Sequence, residues 1–301
     1  MVNALGQVDT VVDSRAGATS YSNDAIGRTA SVMRPNGVQS IYGYTDRGLL
    51  GSLRHVRGAD EVAAFAYTFD ASGLRTGAGE TFGGVTNPVS WTHDLNQRLT
   101  DETRAGATQS WGYDAVSNRT SQTAGGTSIA GVFDNRDRLT SLGNASYTWD
   151  IAGRLRSRTV SGATTSYTWT DDDRLTRVDL PSGGSVRYGY DAQGLMVSRT
   201  DAAGTTGFVW DGALPYGQVV ATTSASGTLD SRWVYGSDRL AEIHGDTVLW
   251  LLTDGLGNVR AVTDSVGGVV GRQDFDAWGN RTVDSGRTSA FGYRGEWADK
   301  A

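Results

Sequence analysis

Aromatic side chains recur along this chain in pairs two residues apart, each pair followed by a short polar cluster and then Arg or Leu. Tyr147 and Trp149 precede Asp150, Gly153 and Arg154, and Tyr167 and Trp169 precede Thr170, Asp173 and Arg174. Tyr188 and Tyr190 precede Asp191 and Gly194, and Phe208 and Trp210 precede Asp211. Upstream, the pattern repeats in Tyr67, Phe69, Asp70 and Gly73, in Trp91, His93 and Asp94, and in Trp111, Tyr113 and Asp114. Tyr42, Tyr44 and Thr45 form a further upstream copy, and weaker copies sit at 21–28, 133–139 and 233–235.

Residues at i and i+2 share one face of a strand, so each aromatic pair can stack along one side of a sheet. Asp suits the first place of a turn, where its carboxylate accepts a backbone hydrogen bond. Gly, or an Asp or Asn that tolerates the left-handed region, suits the place three residues later. Gln97 is the exception to that rule. The following Arg can lie over an aromatic ring or pair with Asp. Eleven anchors spaced 16 to 25 residues apart make each unit one hairpin, with two strands of about seven residues and about 22 strands in all. A twisted sheet that wide must curl. The expected fold is all-β: tandem β-hairpins curled into a wide spiral, an open partial β-shell. It divides into an N-terminal edge segment (1–20), a hairpin array (21–244) and a C-terminal module (245–301).

Composition sharpens this picture. Lys300 is the only lysine, and Glu61, Glu80, Glu102, Glu242 and Glu296 are the only glutamates, whereas Gly numbers 41. Helix formers are scarce and turn and strand formers abundant. The net charge of −6 argues against a nucleic-acid partner. The absence of cysteine removes disulfides, thiolate metal sites and a cysteine nucleophile. With no long apolar run and no charged-then-apolar leader, neither a membrane span nor a secretion signal is expected.

No catalytic constellation stands out in the sequence. His55, His93 and His244 are scattered and form no metal-ligand spacing. Asp171, Asp172 and Asp173 occupy the turn of a repeat and lack a calcium-loop pattern. The many Asp residues sit at turn places, so a glycosidase pair has no sequence support. The stretches 254–257 and Gly83-Gly84 precede no helix that could bind phosphate. No enzyme, metal or cofactor is expected.

The units Tyr190-Asp191-Ala192-Gln193-Gly194-Leu195 and Trp149-Asp150-Ile151-Ala152-Gly153-Arg154-Leu155 resemble the repeat of the YD-repeat proteins. That group includes the Rhs proteins, the B and C components of insecticidal toxin complexes, and teneurins. From Trp250, the run through Asp254, Gly257, Asn258 and Arg260 resembles the start of the Rhs repeat-associated core. Asp276, Trp278 and Gly279 resemble its next element, with Ala277 where the family usually has Pro, and Phe291 to Glu296, including Gly295, resemble the one after. The family's aspartate self-cleavage segment is expected to lie outside this sequence.

The resemblance implies a non-catalytic shell segment of a secreted or surface-delivered polymorphic toxin. Its partners would be the remainder of the shell and an enclosed toxin polypeptide. Two alternatives stand beside it: a surface module binding carbohydrate or a partner cell through aromatic strips, and a decayed gene fragment. An isolated shell segment would also self-associate through its unpaired edges.

Overall fold

The computed structural model describes residues 1–213 and 217–299. These form 27 strands and one three-residue 3₁₀ turn, Tyr293–Gly295, with no α-helix among the described residues. Every recorded register joins strands adjacent in sequence and is antiparallel, as for Ala145–Trp149 with Leu155–Val160 and Leu155–Val160 with Ala163–Trp169. Repeat arithmetic predicts about 22 strands. The other five are Thr10–Asp13, ahead of the first anchor, and four from Thr247–Thr253 to Arg281–Gly286. Hairpins thus continue beyond the recognisable aromatic pairs, because alternation and turn chemistry alone suffice to make them.

Two turn designs recur. At the Asp end, the Asp150 amide donates to the Arg154 carbonyl and the Gly153 amide to the Asp150 carbonyl, and Gly153 sits at φ +88°. Register then slips by one, from Thr148 opposite Ser157 to Trp149 opposite Leu155. Arg156 is left as a bulge, as a type I turn with a left-handed closing residue requires. Gln97, Ser117, Asp137 and Asp173 adopt the same positive φ without being glycine. Some opposite hairpin ends use two-residue turns such as Gly83-Gly84 and Ser161-Gly162, positive at both places, which match strand twist, and others, at 34–38, 180–184, 224–228 and 264–268, repeat the closure of the Asp end.

The chain divides into two compact units. One comprises 1–92, 102–106 and 231–299. Its N-terminal ribbons pack on its C-terminal ones: Tyr21 and Val32 meet Leu240, Ile243 and Trp250, and Val38 meets Leu252 and Ala261. Thr247–Thr253 is buried over five consecutive residues and Val259–Thr263 throughout, the pattern of strands covered on both faces. The other unit comprises 93–101, 107–213 and 217–230. Its strands alternate half-buried and exposed positions, as in Ala145–Trp149. With so few buried side chains there, polar ladders carry more of the order.

Candidate functional site

In the second unit the ladder is built from three kinds of rung, of which the repeat around Asp150 carries all three. Asp at the turn's first place accepts backbone amides: Asp94 Oδ1 from Asn96 and Arg98 at 2.9 and 3.0 Å. Its other oxygen pairs with the Arg four residues on, as in Asp94–Arg98, Asp134–Arg138 and Asp150–Arg154 at 2.6–2.7 Å. The Arg138 hydrogen bond, with backbone donors behind it, holds the Asp134 carboxyl down at about 2. The third rung is the aromatic tip, which donates to the start of the preceding return strand. Trp149 reaches the Leu139 carbonyl, Trp169 that of Leu155 and Trp210 that of Met196, each at 2.8 Å. Tyr113 reaches Leu99 at 2.6 Å and Tyr190 reaches Leu175 at 2.8 Å.

A strap that sequence reasoning misses joins successive turns. Arg98 donates to the Asp114 carbonyl at 2.8 Å, Arg138 to Asp150 at 3.3 Å, Arg154 to Thr170, and Arg174 to Asp191 at 3.0 Å. One guanidinium therefore closes its own turn and holds the next, using the fork that Lys lacks. This accounts for a chain rich in Arg with a single Lys. Where Asn118 replaces Arg, its amide still reaches both Asp114 and Asp137. Tyr147, Tyr167 and Tyr188 lie half-buried in their strands. Gly194 sits at φ +88° beneath Arg174, and Asp211 accepts the Ala213 amide at 3.0 Å.

In the first unit, Asp254, Asn258 and Arg260 come together in a buried ion cluster. Arg260, 2% exposed, donates to Glu80 at 2.8 and 3.1 Å, and to Asp254 and Asp274 at 3.0 Å each. Its Nε donates to the Gln273 carbonyl at 3.1 Å. Burial works against its charge, but Glu80, Asp254 and Asp274 outweigh it and hold the guanidinium pKa above its ordinary value. Burial likewise opposes ionisation of Glu80, yet Arg260 and Arg104 keep its carboxyl below the ordinary range. Arg104 also bonds Glu102 at 3.4 Å and the Phe275 carbonyl at 3.2 Å.

Asn258 ties the cluster to the C-terminal turn. Its Nδ2 donates to Asp254 at 2.7 Å, while its Oδ1 accepts the Arg294 amide at 2.6 Å. Arg239 donates to the Gly295 carbonyl at 2.9 Å. Gly279 faces the Tyr293 ring, where a Cβ would approach to 2.7 Å. Asp276 caps its turn through Trp278, Asn280 and the Asn280 side chain, and the Trp278 ring stands 43% exposed. Gly257 closes its turn at φ +80°.

Tyr67 is drawn in from the repeats, its hydroxyl accepting the Gly255 amide at 2.7 Å, with Arg75 3.9 Å over its ring. Trp91 donates to Glu102 at 3.2 Å. Asp70 and Gly73 form an outlying turn strapped by Arg47 to the Asp70 and Ala71 carbonyls. Glu80, Glu102 and Asp274 belong to this site although no repeat position marks them. The two Glu carry a signal in the sequence: in a chain that uses Asp at its turns, a Glu inside a strand has another task.

The arrangement is a scaffold of paired charges. No group of three or more metal-ligating side chains occurs among the described residues, and no helix among them is long and apolar enough to cross a membrane. The three Asp at 171–173 form the Thr170 turn, where Asp172 pairs with Arg174 at 2.9 Å.

The sequence matches a family described as the teneurin YD-shell over residues 44–301. In structure it is similar to a chain of the TcdB2-TccC3-Cdc42 crystal structure, at 14% identity and a TM-score of 0.75, covering 97% of this chain and 17% of that one. It is similar also to the Photorhabdus luminescens Tc holotoxin pore carrying a TccC3 mutation, at 14% and 0.74, covering 100% and 19%. A third similar structure is TcdB2-TccC3-TEV, at 13% and 0.74, covering 99% and 19%. The likeness is one of fold, the tandem-hairpin all-β fold expected from the repeats, and this chain spans under a fifth of each of these three chains. No curated protein sequence is significantly similar.

Proposed function

The chain belongs to the teneurin YD-shell family, and on that premise we propose that it is a non-catalytic wall segment of a shell enclosing a toxin polypeptide. In this reading it acts as part of a longer, secreted or surface-delivered protein. The remainder of the shell and the enclosed polypeptide are its partners, and residues from about 245 begin the core module. The observation that carries the reading is the strap of Arg residues. Arg98, Arg138, Arg154 and Arg174 each hand a hydrogen bond to the next turn, so neighbouring repeats support one another as parts of a wall. Aromatic tips committed to backbone carbonyls, as at Trp149 and Trp169, speak for sheet cohesion over sugar capture.

Limited proteolysis of the full gene product tests enclosure. A polypeptide following the shell should resist protease until the wall is cut; digestion as fast as that of a free unfolded chain overturns the proposal. A glycan array with a Trp149→Ala control tests the rival reading, which gains only if binding is present and is lost in the variant.

A further inference from the structure

The turn Arg34-Pro35-Asn36-Gly37 closes as the Asp turns do, with the Arg34 amide on the Val38 carbonyl and the Gly37 amide on the Arg34 carbonyl, both at 3.0 Å. Yet Arg stands where those turns place Asp. The turn is anchored instead by Asn36, which donates to Thr263 Oγ1 at 3.0 Å and to the Asp264 carbonyl at 2.9 Å. That leaves the Arg34 side chain without a turn to hold. It enters a cavity of about 280 Å³ walled by Tyr21, Tyr42, Tyr44, Val32 and Leu240, with Asp238 among its lining residues. Asp238 is exposed and marks the mouth.

Arg34 is only 5% exposed, and its partners do not match its charge. Nη1 donates to Ser40 Oγ at 2.7 Å, Nη2 makes a long 3.5 Å approach to the Leu251 carbonyl, and Nε has no partner. No ion pair holds it among the described residues, whereas Arg260, equally buried, faces three carboxylates. A guanidinium cannot shed its proton, and a buried charge without a counter-ion is costly. The nearby carboxylate is engaged elsewhere: Asp238 accepts Thr253 Oγ1 at 3.0 Å and the Arg239 amide at 2.7 Å.

We propose that this cavity binds a small organic monocarboxylate, its carboxylate on the Arg34 guanidinium and its flat apolar body between the tyrosine rings. The planar fork of Arg matches a carboxylate in two parallel hydrogen bonds. Rings and aliphatic side chains supply the apolar walls usual for such pockets. Asp238 at the mouth disfavours a dianion, which selects against phosphate.

Isothermal titration of the full chain tests this with benzoate, its uncharged isostere benzamide, and inorganic phosphate. Benzoate should saturate with a dissociation constant near or below about 1 mM, and benzamide and phosphate should bind at least about tenfold more weakly. Arg34→Gln should weaken benzoate about tenfold or more, and Asp238→Asn should tighten it about two- to fivefold by removing the like charge. Unsaturable benzoate, benzamide or phosphate binding as well as benzoate, or Asp238→Asn without a gain overturns the proposal. If Arg34→Gln does not fold, the benzamide comparison and Asp238→Asn decide.

Discussion

His55 makes the protein's stability depend on pH in a window that its carboxylates leave free. The ring is 1% exposed, with Nε2 2.8 Å from the Thr253 carbonyl and Nδ1 2.8 Å from Ser40 Oγ. A carbonyl only accepts, so Nε2 carries the proton and Nδ1 accepts from Ser40, whose oxygen in turn accepts from Arg34. A second proton would turn Nδ1 into a donor facing that hydroxyl and set a cation before a buried guanidinium. Burial, then the Arg34 charge, lowers the ring's pKa from 6.5 to about 3. The unfolded chain takes up this proton as pH falls through 6.5 and the folded chain only near 3, so the unfolded state holds more protons in between and stability declines with acid. At pH 5 the loss is about 2 kcal/mol, with a slope approaching about 1.4 kcal/mol per pH unit. Ordinary Asp and Glu titrate in the unfolded chain near 4, so Glu80 and Asp13, whose folded pKa values are depressed, add their loss only below about pH 5. Urea unfolding at pH 7, 6 and 5, followed by tryptophan fluorescence, reads the effect. His55→Gln lowers stability outright but should flatten the slope between pH 6.5 and 5. A slope that survives in the variant, or a wild type whose stability is flat over that range, refutes the argument.

Two further outcomes follow from the same geometry. Arg260→Met should cost about 3–5 kcal/mol in urea unfolding, because Glu80, Asp254 and Asp274 are left as buried anions without their common partner; Arg260→Lys should recover little, since an ammonium cannot span three carboxylates. Gly153→Ala should cost about 1 kcal/mol in thermal unfolding, purely from its φ of +88°, since nothing lies within 4 Å of an added Cβ, and Gly153→Asn should cost less because Asn tolerates that region.

The hairpin array is legible in the sequence because its grammar is local. Asp to the amides two and four residues on, Asp to Arg four on, and the left-handed residue three on are all set within five positions, and one reading frame repeats them. Gln97 shows how far local preference bends: it reads as an exception, yet it holds φ +63°, because the turn amide and carbonyl bonds around Asp94 fix the backbone whatever the side chain. The contacts of the first unit have no such grammar. Arg260 meets Glu80 across 180 positions, His55 meets Thr253 across 198, and Asn36 meets Asp264 across 228; no periodicity in either ribbon encodes its partner. What the sequence does carry there is departure from its own rule. Glu80 and Glu102 stand in a chain that otherwise prefers Asp, and Arg34 stands at a turn place that Asp normally holds. A turn needs a short carboxylate to cap itself, so a longer acid or a base in its stead has been released from local duty and is available to a distant ribbon. Breaks in a repeat are therefore where tertiary chemistry should be sought, and in this chain they lead to the ion cluster and to the cavity.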